Sequence, residues 1–218
     1  MLSIHRKVEL KSSIEWIKSS FNTFREKPLQ FMVLAIFSTF IGLMPVFGAL
    51  MTPLFIAKFA KITQKIENGE EVLFSTLFDG LFSDKLVVRL AFLNFFINTI
   101  IFVFQYLVEN ILRSRGIDVS KPGSIVVLIF FIPVIILQIS MWLSPLICLN
   151  NEDVTPLRAM WLSLKVFGYN IVTFFIYSVL VIFFTLLAIL PLGLGLLIWL
   201  PMLNIVIYYI YKSLFIKS

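Results

Sequence analysis

Four stretches of this chain carry no charged residue: 28–57, 90–108, 122–151 and 166–211. A helix needs about 20 apolar residues to cross the hydrocarbon of a bilayer. A single helix over the last stretch would be about 69 Å long, so that stretch must fold back on itself. The break falls at Leu190-Pro191-Leu192-Gly193-Leu194-Gly195, where proline removes a backbone donor and glycine permits a tight turn. Composition agrees, with 60% hydrophobic and 14% charged residues against about 45–50% and 25% in soluble domains. The fold class expected is an all-α integral membrane protein, with a single membrane domain over residues 1–218.

Residues 28–57 form either one long helix or a hairpin broken at Met44-Pro45-Val46-Phe47-Gly48. Charge separates the two. With a hairpin, 15 of the 18 Lys and Arg residues fall on one side, leaving Arg113, Arg115 and Lys121 on the other. With a single span the basic residues divide nine and nine. The bias of Lys and Arg toward the cytoplasm therefore selects the hairpin. Six transmembrane helices follow, near 29–44, 47–66, 87–110, 124–148, 170–190 and 193–212, with both termini cytoplasmic. Lys58, Lys61 and Lys65 share one face of the second and can extend toward lipid headgroups. The first ten residues lack the apolar core of a signal peptide, so insertion is expected to start with the first span.

A short amphipathic segment precedes each of the three hairpins. Ile14, Ile17, Phe21 and Phe24 oppose Glu15, Lys18, Asn22 and Arg25 in the first. Leu73, Phe74, Leu77, Phe78, Leu81 and Phe82 oppose Ser75, Thr76, Asp79 and Ser83 in the second. Leu157, Met160, Trp161, Leu164 and Phe167 oppose Arg158 and Lys165 in the third, with Thr155 placed as N-cap and Pro156 at the first helical position. These segments either lie flat at the cytoplasmic interface or pack on the bundle as connecting helices. Ser20, Phe24 and Phe31 match Ser163, Phe167 and Phe174 at a constant offset, and Pro45 and Pro53 align with Pro191 and Pro201. The chain thus reads as three parallel units, about 10–68, 70–150 and 154–218, related by an axis along the membrane normal.

The run Ser20-Phe21-Asn22-Thr23-Phe24-Arg25-Glu26-Lys27-Pro28 leads into a hairpin turned at Pro45 and Gly48. With Leu190-Pro191-Leu192-Gly193-Leu194-Gly195-Leu196-Leu197-Ile198-Trp199-Leu200-Pro201, it resembles the uncharacterised bacterial inner-membrane proteins of the YciC kind and their relatives. The likeness spans nearly the whole chain. It implies a bacterial inner membrane and six helices, and it carries over no catalytic residue.

The chemical inventory is sparse. Cys148 stands alone in an apolar stretch and His5 is the single histidine, so neither a disulfide framework nor a histidine metal site is expected. No nucleophile–base motif, HExxH or phosphate loop is present. The carboxylate pairs Glu70-Glu71 and Glu152-Asp153 read as solvated loop charges before they read as a cation or acid–base site. No span carries Asp, Glu or His at its centre, which argues against proton coupling, ion pumping and voltage sensing. Uncharged polar residues do occur there. Asn94, Asn98, Gln138 and Asn204 serve either as interhelical glue or as the lining of a polar path. Pro133 and Pro145 free carbonyls in the fourth span, and the tyrosines Tyr208, Tyr209 and Tyr211 fit an interfacial belt.

The net charge of +6 points to anionic lipid of the inner leaflet, not to nucleic acid. The function expected is a non-enzymatic scaffold or accessory in envelope or lipid homeostasis. It would have no cofactor and no metal, with lipid and other membrane proteins as partners. The alternative is a small permease or lipid translocator without proton coupling.

Overall fold

The computed structural model describes residues 7–116 and 125–216, and every regular element among them is helical. His5 lies outside the described residues, as does most of the expected external loop at 113–123. The helices are α1 (Ser12–Glu26), α2 (Pro28–Gly42), α3 (Pro45–Glu67), α4 (Lys85–Ser114), α5 (Ile125–Asn150), α6 (Pro156–Tyr169), α7 (Ile171–Ile189) and α8 (Leu196–Phe215).

The boundaries follow local chemistry. Met44 is extended and Pro45 opens α3 at its first position, so the first apolar stretch breaks between Gly42 and Pro45. A Cβ on Gly48 would sit 2.7 Å from the Gly42 carbonyl oxygen, so glycine is what lets α3 start so close to the end of α2. Asp84 caps α4, its Oδ1 accepting from the Leu86 and Val87 amides at 3.1 and 3.0 Å. Thr155 caps α6 as expected, accepting from the Arg158 amide, and Pro156 takes the first position. The last stretch breaks at 190–195, where Leu192 and Gly193 both have positive φ. A Cβ on Gly195 would lie 2.7 Å from the Ala188 backbone.

Among the described residues four helices are long and apolar enough to cross a membrane: α4, α5 over Phe131–Asn150, α7 and α8. A helix also fills each of the two earlier positions, with different dimensions. The 15 residues of α2 give about 22 Å, short of a hydrocarbon core of about 30 Å. The C-terminal half of α3 carries Lys58, Lys61 and Lys65. Large apolar side chains stand outward on α4 (Phe92, Phe96, Ile100) and on α7 (Phe175, Ile182, Leu186). A contiguous surface of that kind suits lipid and not water.

The charged ends of α3 and α8 meet at one pole. Lys212 at the end of α8 pairs with Glu67 at the end of α3 at 2.7 Å, and Tyr208 donates to the same carboxylate at 2.8 Å. Asn151, just past α5, donates to Tyr211 at 3.4 Å. The expected tyrosine belt is thereby corrected. Tyr208 and Tyr211 are buried, and Tyr209 meets the Thr23 hydroxyl at 2.5 Å. These rings hold helices together, because a buried phenol needs a partner.

The peripheral segments also depart from expectation. Residues 73–83 form no α-helix, only a short 3-10 turn at Phe74–Thr76. Thr76 and Ser83 hydroxyls bond the backbone three residues earlier, and Gly80 turns with positive φ, so local polar bonds displace the helix. On α1 the buried face is Ser13, Trp16, Ser20, Thr23 and Phe24, while Ile14 and Phe21 are exposed. On α6 it is Ala159, Met160, Leu162, Ser163 and Val166, with Leu157 and Trp161 exposed. Both helices turn small and hydroxyl-bearing residues inward because these permit close approach and interhelical hydrogen bonds. Ser13 donates to the Thr173 carbonyl at 3.0 Å, and Trp16 Nε1 to Ser213 at 3.1 Å.

α1 packs on helices remote in sequence, while the other two segments pack on the helices just before them. α1 lies on α7 and α8, and α6 lies on α4 and α5. The loop after α3 lies on α2 and α3, through Gln30 to the Val72 carbonyl and through the Phe37–Phe78 ring contact at 5.0 Å. Ser163 of α6 donates to the Ile139 carbonyl at 2.8 Å and accepts from the Leu143 amide at 3.3 Å. It thus bridges the donor and acceptor of one rung of α5, next to Pro145.

Candidate functional site: a polar cleft at mid-depth

A cleft of about 380 Å³ opens between α3, α4 and α5, with Gly42 at its rim. Its origin is Pro53. Proline has no amide hydrogen to give to the carbonyl four residues back, so the Ala49 oxygen is left without its helical partner. Asn94 of α4 supplies the donor, its Nδ2 reaching the Ala49 oxygen at 2.6 Å. Asn98, one turn on, donates to the Asn94 carbonyl and Oδ1 at 2.8 and 2.9 Å. Across from them the Thr52 hydroxyl bonds the Gly48 carbonyl at 2.7 Å. Gln138 of α5 lines the cleft and is exposed, and its amide has no hydrogen-bond partner among the described residues.

Three of the four polar residues expected to line a path, Asn94, Asn98 and Gln138, therefore meet in one place. Asn204 does not join them, since it sits on α8 and donates to the Leu200 carbonyl at 3.0 Å. Thr52, Pro53 and Trp142 are also in the lining and were not foreseen there. The signal for them was present, because a proline inside a helix names in advance the carbonyl it orphans.

At a rise of 1.5 Å per residue the polar groups lie about 14–21 Å from the charged pole. Among the described residues no ionisable side chain lines the cleft. It can hold a neutral hydrogen-bonding group. Toward the charged pole it is closed by buried Ala57, Ala60, Val87, Leu90, Ala91, Leu143, Leu146 and Ile147, all in one apolar cluster. Asn94, 6% exposed, marks the transition between the cleft and that plug.

A larger hollow of about 610 Å³ lies at the charged pole between the N-terminal segment, α1 and the end of α8. Lys7, Lys11 and Lys212 there face Glu9, Glu15 and Glu67. Glu9, bonded to Lys11 at 3.0 Å, and then Glu15 hold the Lys11 ammonium above its ordinary pKa. The balance of sign leaves this hollow without a clear preference for anions or cations.

The remaining candidates for chemistry stand apart. Glu70, Glu71, Glu152 and Asp153 are exposed in loops, and Cys148 is buried. Among the described residues no group of three His, Cys, Asp or Glu side chains is placed to hold a metal ion. Comparison of the chain with protein-family models, with curated proteins and with solved structures gives no match.

Proposed function

We propose that this chain is a six-helix protein of the bacterial cytoplasmic membrane that works as a non-enzymatic scaffold or accessory in envelope or lipid homeostasis. The charged pole and both termini face the cytoplasm. α2 and α3 form the first hairpin, with α2 shorter than a full span and its apolar turn at Leu43 and Met44 held below the far interface. The resemblance to proteins of the YciC kind accords with this placement. The three-unit reading is supported by the packing of each peripheral segment on a pair of long helices and by the burial of Ser20, Phe31, Ser163 and Phe174 at matching positions. In this arrangement α1 closes a ring by docking on the third pair.

One observation carries the functional reading. The charged pole presents apolar side chains outward on all three peripheral segments, around a core that is sealed. Ile14 and Phe21 stand out from α1, Phe74, Phe78 and Phe82 from the loop, and Leu157 and Trp161 from α6. Arg25 lies over Phe21 and Lys165 over Tyr169, so cations flank the apolar stripe. Such a surface suits an anionic leaflet or a membrane partner. A photo-crosslinking residue at Trp161 in cells is expected to trap a membrane protein or phospholipid. No adduct there, with unchanged lipid composition in a deletion strain, contradicts the proposal.

The cleft at Asn94, Asn98 and Gln138 favours a second reading, a facilitator of neutral solute or lipid. The apolar plug beneath it counts against a continuous path. Reconstitution in liposomes separates the two: flux above that of empty vesicles, lost in Asn98→Leu, would establish transport.

A further inference from the structure

A further cleft, of about 240 Å³, lies at the charged pole where α3 meets the connection to α4. Lys58, Lys61 and Lys65 line one wall from successive turns of α3, and Thr76, Asp79 and Ser83 line the other. The three ammonium groups have different duties. Lys58 Nζ donates to the Thr76 and Asp79 carbonyls at 2.7 Å each, which fixes the loop. Lys61 makes one long contact, 3.4 Å to the Ser83 hydroxyl. The Lys65 ammonium is exposed and has neither hydrogen bond nor ion pair among the described residues. A single carboxylate, Asp79, faces three cations in this lining. The surplus positive charge is concave, preassembled and open.

We propose that this cleft holds the phosphate of an anionic phospholipid, bound by the ammonium groups of Lys61 and Lys65. The proposal rests on the reading that the charged pole lies at the membrane surface. Lysine recognises phosphate as a point charge, without the planar geometry that arginine demands. Two features favour a lipid over a soluble phosphate. The lysines lie about 3–14 Å from the end of α3, the depth of headgroups beside a span. Phe74, Phe78 and Phe82 stand exposed on the loop, and Phe78 meets Phe37, next to the exposed Ile36 and Phe40 of α2. Acyl chains of a lipid seated here would run onto that apolar surface.

The test uses the full chain purified in neutral detergent, with bound lipid counted by native mass spectrometry. Phosphatidylglycerol is titrated against phosphatidylcholine with the same acyl chains. The wild type is expected to prefer phosphatidylglycerol. K61Q/K65Q is expected to weaken its binding roughly 30-fold, at about fivefold for each lysine near an anionic lipid. K65Q alone removes a side chain with no partner, so it keeps the fold and is expected to lose about fivefold. R158Q/K165Q alters basic residues of α6 that do not line the cleft and is expected to change nothing. Equal losses in both double variants would reduce the effect to diffuse surface charge and overturn the site, as would unaltered binding in K61Q/K65Q. Displacement of the lipid by millimolar inorganic phosphate would assign the cleft to a soluble anion and overturn the lipid. Crosslinking at Trp161 tests the scaffold reading separately, so the failure of one is distinguishable from the failure of the other.

Discussion

At the scale of single residues, the polar groups inside the apolar bundle answer to backbone needs. Asn94→Leu leaves the Ala49 carbonyl unpaired within the bundle, and an unsatisfied group of this kind costs about 1–2 kcal/mol. The thermal midpoint in detergent is expected to fall clearly in Asn94→Leu and little in Asn204→Leu, whose amide only bonds within its own helix. Thr63 gives the opposite sign. Its hydroxyl is buried with no hydrogen bond among the described residues, so the nearly isosteric Thr63→Val removes an unmet donor. Its midpoint is expected to hold or rise, and a drop of several degrees would show that the hydroxyl has a partner. Residue types and spacing were enough to place Asn94, Asn98 and Gln138 on two apolar helices that follow one another in the chain. They could not show that Asn204 turns back onto its own helix, because that depends on which way α8 faces its neighbours.

Elements were legible where one local rule governed them and illegible where tertiary bonds competed. The breaks at Pro45 and at 190–195, and the caps at Thr155 and Pro156, follow from residues that admit few backbone states. The 73–83 segment has a helical period of apolar residues, yet Gly80 and the hydroxyls of Thr76 and Ser83 give its backbone other partners. The rotation of α1 and α6 was hidden for a related reason: periodicity finds the most apolar face, whereas membrane helices join through small and hydroxyl residues. Two substitutions test the elements. Gly48→Ala places a Cβ 2.7 Å from the Gly42 oxygen and forces α2 and α3 apart, at a cost of about 1–3 kcal/mol. Gly42→Ala meets nothing within 4 Å and is expected to be neutral in the same melting experiment. Trp16, 3% exposed, stacks on Phe174 at 5.9 Å and meets Tyr177 edge-on at 6.0 Å. Trp16→Ala is expected to loosen α1 by about 3–5 kcal/mol, read as faster proteolytic removal of the N-terminal segment while the rest of the bundle stays intact.

For the whole molecule, position along the helices and charge support the same picture. Most of the basic residues, the ends of α3, α5 and α8 and the outward apolar stripes share one pole. At the other end the turns after α2 and α7 are apolar, with Leu192 97% exposed, while α4 ends on Glu109, Arg113 and Arg115. Between the poles a polar cleft lies over a layer of buried apolar side chains. That picture requires the chain to reverse at Pro45, so that Asn68 and Gly69 return to the side from which α1 began. The direct measurement is a single cysteine at Gly69, in a Cys148→Ser background, probed in intact bacteria with a membrane-impermeant thiol reagent, with a second at Gly116 for comparison. The account predicts that the cysteine at 69 reacts only after the inner membrane is opened, while the one at 116 reacts from outside. Labelling at 69 in intact cells would place α3's basic end in the periplasm and contradict the fold's orientation, the lipid-facing pole and the function built on them.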